Sequence, residues 1–359
     1  MAECSPTDGI FMSPQNAKTP ANQRIFITAF GHFVPANVID NEFFGTLDIG
    51  SDGQWIVDRV GIRERRSILT TAELRALRRR EITRDDLWAA GRIMTFGKMA
   101  ASAWEHGMSR AGRRTADLHA DAVIGGTSVP DSDIPSHACY AARDSGLSTG
   151  FAYDTNSACS TFVVQLHTMR GLFASGSART GAIFGAERYT TRVDYADRKS
   201  CILFGDSSYA AFIEASPNGK CLEVIDTFVE SSPEGADTIR MLDGKPFEQD
   251  GQAVQKFAIL KTVAAAQAML ERNKLSVSEI DWFVGHQANL RMLSSAAQRL
   301  GLAPEQHLFN VDTHGNQGGA GAPVSLSQNW DRLRPGQHVV MSVVGSGLTW
   351  GSALFKVHG

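Results

Sequence analysis

The sequence predicts an α/β fold, and three observations carry the prediction. Strand-like and helix-like stretches alternate along most of the chain. The alternation runs twice, once on either side of a turn at "SPNGK". With 359 residues, 43% hydrophobic and 20% charged, the chain is long and apolar enough for a sizeable core. The expected organisation is a first half over residues 24–215 and a second over 216–359, alike in their order of elements but not in their residues. Residues 1–23, "MAECSPTDGIFMSPQNAKTPANQ", are rich in Pro, Ser, Asn and Thr and are expected to form a disordered leader. They lack the basic start and apolar run of a signal peptide.

Order is expected to begin at "RIFITAF", a β-rich run ended by Gly31, with a second such run, "DAVIGGTS", near residue 121. Between them "TAELRALRRREITRDDLWAAGRIMTFGKMAASAWEHG" reads as two helices with "ITRDD" as a break, so an inserted helical segment is predicted over about 64–100. From Arg63 to Arg84 it holds eight arginines against three glutamates, which suits a solvated helix face or a docking surface for an acidic partner. The first half continues with a helix in "STFVVQLHTMRGLFASG", a strand in "GAIFGAE" and a strand-like "CILFGDSSYAAFIE". The second runs through strand "CLEVIDTF", a long helix from about Gln252 to Arg272, strand "DWFVGH" and helix "NLRMLSSAAQRLG". A further helix begins in "THGNQGGAGAPVSL", and "HVVMSVVGSG" and "SALFKV" close the chain as strands.

A net charge of −3 provides no overall basic field, which argues against a nucleic-acid partner. The five cysteines, Cys4, Cys139, Cys159, Cys201 and Cys221, are widely spaced and include no CxxC pair. They read as reduced thiols of a cytoplasmic protein without a metal site. No stretch reaches the length of about 18 apolar residues that a membrane span needs.

Three residues stand where chemistry collects in α/β folds. Cys159 immediately precedes a helix, where the positive end of the dipole favours thiolate. His286 leaves the end of a buried strand. Asn316 stands among glycines at a helix start, where it could equally be a cap. A thiol with two neutral donors suits acyl-thioester chemistry, and equally, in this chain order, a Cys-His-Asn hydrolase of the papain kind. The papain signature "CGSCW" is missing.

The blocks "DTNSACSTF", "LFGDSSYAA", "GHQANLRML", "HGNQGGAGAPVSL" and "GSGLTWGSAL", with "GQWIVDRVGIRERR" upstream, resemble in order the signatures of the β-ketoacyl-[acyl-carrier-protein] synthase III family. The resemblance runs from about Arg24 to the C-terminus. It implies the thiolase fold, a duplicated αβαβα architecture of five layers, normally a homodimer, and a decarboxylating Claisen condensation. Cys159 would be the acylated nucleophile, while His286 and Asn316 would hold the thioester carbonyl of the extender. The backbone N–H groups of Cys159 and Ser346 would form the oxyanion hole, although the family usually has glycine at Ser346. Trp55, Arg59 and Arg198 match coenzyme A contacts, with Trp55 and Arg198 placed to sandwich adenine. Lys256 and Arg291 match basic positions that meet an acyl carrier protein. No permanently bound cofactor is implied; coenzyme A or 4'-phosphopantetheine thioesters are substrates.

Three departures bear on the substrate. The arginine-rich segment is longer than in the primary fatty-acid enzymes, and Arg75, Arg78, Arg79 and Arg80 are expected to dock an acidic carrier. Ile134 falls where a residue of the opposite subunit closes the acyl pocket in the family. Glu187 stands at a strand end, as a solvated terminus or as a base. Alternatives are a specialised-metabolism ketosynthase or acyltransferase that joins two carrier-bound chains or transfers an acyl group to oxygen or nitrogen, and a Cys-His-Asn thioesterase or amidase; a non-catalytic carrier-binding protein is disfavoured because all three reactive positions are filled.

Overall fold

The computed structural model describes residues 24–242 and 245–359. The leader predicted over 1–23 lies outside them. The first half runs β1 (Phe26–Phe33), α1 (Phe96–Ala111), β2 (His119–Gly125), α2 (His137–Ser145), β3 (Ser148–Asp154), α3 (Thr161–Ala174), β4 (Thr180–Arg188) and β5 (Asp206–Glu214). The second half repeats that order: β6 (Cys221–Ser231), α4 (Gly251–Asn273), β7 (Trp282–Gly285), α5 (Leu290–Arg299), β8 (His307–Leu308), α6 (Gly321–Gln328), β9 (His338–Gly345) and β10 (Thr349–His358).

The pairing is duplicated too. The strands lie in the order β8-β7-β9-β10-β6-β1-β5-β4-β2-β3, so each half contributes five. In the first, β4, β2 and β3 run parallel while β5 is antiparallel to β1 and β4. In the second, β9, β7 and β8 run parallel while β10 is antiparallel to β6 and β9. The halves join where Phe26 and Ile27 of β1 pair with Glu223 and Leu222 of β6.

Two helices fill the space between the halves. α3 packs on β4 and also on β6 and β10, and α6 packs on β1 and β5 and also on β7. A helix with sheet on both sides must be apolar nearly all round, and α3 buries Phe162, Val163, Leu166, Met169 and Phe173. Its one buried amide, Gln165, is satisfied, donating to the Phe184 carbonyl and accepting from the Tyr209 hydroxyl. The remaining helices form the outer layers, α1 and α2 over the first half and α4 and α5 over the second. The five layers of a duplicated α/β fold are complete.

Within 64–100, Glu64–Ser67 pair antiparallel with Asn37–Asp40, and residues from Phe96 onward belong to α1. Two short helices, Thr71–Arg78 and Arg84–Ala89, have no counterpart in the second half, and each starts in a capping box, Thr70 with Glu73 and Thr83 with Asp86. The stretch predicted as two helices therefore forms three. Gly91, at φ 65°, ends the second, and Thr95 caps α1. Leu74 and Leu87 anchor the pair in an apolar cluster with Phe43, Phe44, Ile56 and Phe204. Arg65 fastens this cap from within: fully buried, it donates to Asn41 Oδ1 at 2.6 Å and to the Ile202 carbonyl at 2.8 Å.

Candidate active site

A cavity of about 920 Å³ opens under the cap, and its walls include Cys159, His286 and Asn316. Each reaches it from a different corner. Cys159 lies in a single 3-10 turn, Ala158–Ser160, that leads into α3. The turn is tight: Ala158 takes φ 45°, its N–H bound to Asn156 Oδ1 at 3.0 Å and its carbonyl bound by the Thr161 hydroxyl at 2.8 Å. Gly345, at the end of β9, is pressed against it, since a Cβ there would lie 2.7 Å from the Ser157 carbonyl and 3.0 Å from Cys159 N. Ser346, the next residue, lines the same cavity as Cys159. The Ser346 hydroxyl donates to the Ile239 carbonyl, tying the loop to another cavity-lining residue.

His286 follows β7, its N–H bound to the Ser342 carbonyl. Burial lowers its pKa to about 4, so the ring is neutral near pH 7, and Nδ1 is buried without a hydrogen-bond partner. Asn316 is held by its backbone, which exchanges hydrogen bonds with Leu203 and Gly205. Its Oδ1 accepts from Gly318 N–H at 2.9 Å, which leaves the Nδ2 protons for the cavity. Asn316 is therefore not the helix cap that an isolated "GNQGG" allows; α6 begins at Gly321 without a side-chain cap.

The thiol departs from expectation. Burial, and secondarily the nearby Glu187, push Cys159 up to about 12, against the expected drift toward thiolate at a helix N-terminus. Glu187 is itself no solvated strand end. It is 2% exposed and accepts from Ser128 N–H at 3.2 and 3.1 Å and from the Ser128 hydroxyl at 3.2 Å, and burial raises it to about 8 despite these bonds and one from Gly319 N–H. Nothing in isolated sequence joins Ser128, Glu187 and Gly319, which come from three separate segments. Tyr189 stacks on Phe204 at 4.6 Å, with Phe247 edge-on to Phe204, and all three line the cavity.

Trp55, Arg59 and Arg198 stand together on the cavity wall. The Arg198 guanidinium lies over the Trp55 ring at 5.2 Å and donates to the Gly50 carbonyl at 2.6 Å. The two groups thus stack on each other, and the expected adenine sandwich is closed. Lys256 and Arg291 are exposed, each beside cavity-lining neighbours, Gln255 and Phe257 in one case and Asn289 and Met292 in the other. Ile134 is 83% exposed and does not line this chain's cavity.

A five-layer duplicated fold with a cysteine at the start of its first central helix, facing a histidine and an asparagine from the second half, defines a thiolase-fold acyltransferase. Models of the 3-oxoacyl-[acyl-carrier-protein (ACP)] synthase III family match residues 153–233, and for its C-terminal part residues 270–357. β-Ketoacyl-[acyl-carrier-protein] synthase III of Acidiphilium cryptum is 33% identical over 344 residues, covering 93% of this chain and 99% of the relative. Among solved structures, 3-oxoacyl-(acyl carrier protein) synthase III of Pseudomonas aeruginosa is similar with a TM-score of 0.80 and 25% identity, covering 93% of this chain and 98% of that one. The Thermus thermophilus enzyme is similar with a TM-score of 0.78 and 30% identity, over 93% and 99%. The chain belongs to the β-ketoacyl-[acyl-carrier-protein] synthase III family.

Proposed function

We propose that the chain transfers an acyl group from a coenzyme A or carrier thioester to Cys159 and condenses it with a malonyl-type thioester, with loss of CO2. The convergence of Cys159, His286 and Asn316 on one cavity carries this reading. The thiol is held protonated, and the neutral His286 ring, which lines the same cavity, takes its proton as the sulfur attacks. The acyl carbonyl oxygen is held by the N–H groups of Cys159 and Ser346, and His286 returns the proton to the departing thiolate. The ring is then neutral again, and with Asn316 Nδ2 it donates to the oxygen that becomes enolate as CO2 leaves. The enolate carbon attacks the acyl-Cys159 carbonyl and the C–S bond breaks, freeing a β-keto thioester and the Cys159 thiolate, which takes up one proton from solvent to match the carboxylate charge lost with CO2.

Arg59, Arg198 and Trp55 bind the nucleotide end of the donor, with the Trp55–Arg198 stack parting to admit it. Lys256 and Arg291 meet the carrier protein. Two copies of the chain pair through β3, an edge strand on which Phe151 is 41% exposed, and Ile134 closes the partner's acyl pocket. None of the described helices is long and apolar enough to cross a membrane. Incubation with acyl-CoA alone tests the reading. A stable acyl adduct on Cys159, discharged to a β-keto product when a malonyl thioester is added, supports synthesis. Free acid released at every turnover would make the chain a thioesterase.

A further inference from the structure

Each of the two donors is followed by a glutamine, His286 by Gln287 and Asn316 by Gln317, and both glutamines are fully buried. Gln287 Nε2 donates to the Gly285 carbonyl at 2.8 Å, while its Oε1 accepts from the backbone N–H of Asn310 at 3.0 Å and of Val311 at 3.3 Å. Gln317 Nε2 donates to Asn310 Oδ1 at 3.0 Å and to the Gly315 carbonyl at 3.3 Å. Backbone partners fix the orientation of both amides, and so of Asn310, whose Nδ2 donates to Gln328 Oε1 at 2.9 Å. The two glutamines therefore end on one residue, Gln287 on its N–H and Gln317 on its side-chain oxygen. Asn310 is 5% exposed, and none of the three lines the cavity.

We propose that Asn310 is a positioning residue, the pin through which Gln287 and Gln317 set the separation of the His286 and Asn316 donors. The proposal rests on the reading of those two as the donors that hold the enolate. The donors come from corners about thirty residues apart in sequence; β7 pairs with β8, but that pairing reaches only Leu308, eight residues before Asn316. Donors that stabilise developing charge must be held within about 0.5 Å, by groups whose own partners are fixed. Here the fixing groups are buried amides, which give up hydrogen bonds at a higher cost than exposed ones. The nucleophile lies in the other half of the molecule and takes no bond from this set, and Gln287 keeps its backbone partners beside His286 when the Gln317–Asn310 bond is removed, so releasing that bond frees the Asn316 corner and bears on decarboxylation more than on acylation.

Two variants test it in the full chain. Gln317→Met keeps the volume and removes both bonds made by Nε2, and Gln317 Oε1 has no hydrogen-bond partner to lose. Asn310→Ala removes the same side-chain bond from the other end while its N–H stays with Gln287. Acylation of Cys159 by acyl-CoA is followed by intact mass, and CO2 release from a malonyl thioester is followed separately on the pre-acylated protein. Each variant should acylate within about twofold of the parent yet lose about tenfold in the kcat of decarboxylation, with KM little changed. The double variant should be no more than about twofold worse than Asn310→Ala, because the two remove one interaction. Equal slowing of both half-reactions with a lowered Tm would make the amides merely structural and overturn the proposal, as would unchanged decarboxylation. His286→Ala and Asn316→Ala are measured alongside. If these still decarboxylate at the parent rate, the donor reading itself fails; if they lose the step while Gln317→Met and Asn310→Ala keep it, only the pin fails.

Discussion

The start of α3 and the start of α6 are the same place in a duplicated fold, each following the third strand of its half, yet they are built to opposite ends. At the first corner most polar groups are consumed, Thr155 Oγ1 being a buried exception. Ser128 and Gly319 N–H groups bond Glu187, Asn156 and Thr161 lock Ala158, and the half-buried Cys159 thiol is held protonated. In the second half donors are left uncommitted: Asn316, before α6, uses only its side-chain oxygen, and His286, at the earlier corner after β7, has a buried Nδ1 without a partner. Duplication supplied two equivalent corners, and their hydrogen-bond satisfaction divides the reaction between them. The closed corner holds the atom that forms a bond, and the open one holds the donors that charge must find.

The largest break in that division is at the thiol. Cys159→Ala should abolish both acyl-enzyme and condensation, read as the absence of any acyl mass increment, because no other described cysteine lines the cavity. Next comes the open corner. Asn316→Ala should acylate normally and lose on the order of 100-fold in decarboxylation, the usual cost of one charge-stabilising donor. His286→Ala should lose as much there and also acylate more slowly, since the ring serves both steps. Acylation lost in full in both variants would erase the distinction between the corners. The seam between them is Gly345. Gly345→Ala would drive a Cβ into the Ser157 carbonyl and toward Cys159 N, so it should slow acylation by about tenfold or more while leaving decarboxylation by residual acyl-enzyme less affected.

How much of this was legible in the sequence follows the same line. Cys159, His286 and Asn316 could be read because each stands at an element boundary inside a local motif. The groups that support them could not, since Glu187 with Ser128 and Gly319, and Asn310 with Gln287 and Gln317, meet only through tertiary hydrogen bonds. β3 was missed because "STGFAYD" is an edge strand, paired on one side and mostly exposed, so it carries no alternating pattern. β8, two residues long, has too little sequence for any period. The stacking of Arg198 on Trp55 was beyond reach for a simpler reason: both residues were placed by family position, which fixes neighbours and not the gap between them.

Acid should separate the halves by a smaller amount. Burial holds His286, His307 and His314 of the second half near 4 and His32 of the first near 3, and it also lowers His106 and His167 of the first, so the histidines alone do not separate the halves. Each would take a proton in the unfolded chain below its ordinary value of about 6.5 and does not in the folded one, so their contribution to stability declines as pH falls through that value. Glu187 and Asp206, raised by burial to about 8 and about 6, act in the other direction, because the folded chain keeps protons that the unfolded chain releases. Both belong to the first half. Between about pH 6.5 and 5 the Tm should fall, and amide exchange should lose protection in 282–316 before 182–213. Loss beginning in the first half would contradict the assignment.

The smallest effect is expected where the first half has something the second lacks, the two helices over Thr71–Ala89. Of the four arginines expected to dock a carrier there, Arg75 lies over the Phe43 ring at 5.2 Å and reaches the Thr46 hydroxyl, and Arg78 is half-buried. These two belong to the packing of the cap. Arg79 and Arg80 are exposed, with Arg79 3.7 Å from Glu81, so a docking charge rests on them. Exposed charge acts mainly on association and is screened beyond about 8 Å at physiological salt. Reversing both, Arg79→Glu with Arg80→Glu, should raise the KM for a carrier-bound acyl chain by about twofold to fivefold at low salt, with the defect shrinking as salt is added. A small N-acetylcysteamine thioester should react as before. Arg75→Ala should instead lower Tm, by loss of its packing on Phe43, and treat both substrates alike. If the double reversal left the preference between carrier-bound and small substrates unchanged at low salt, the helices would be a cover for Phe43 and Phe204 and no docking surface.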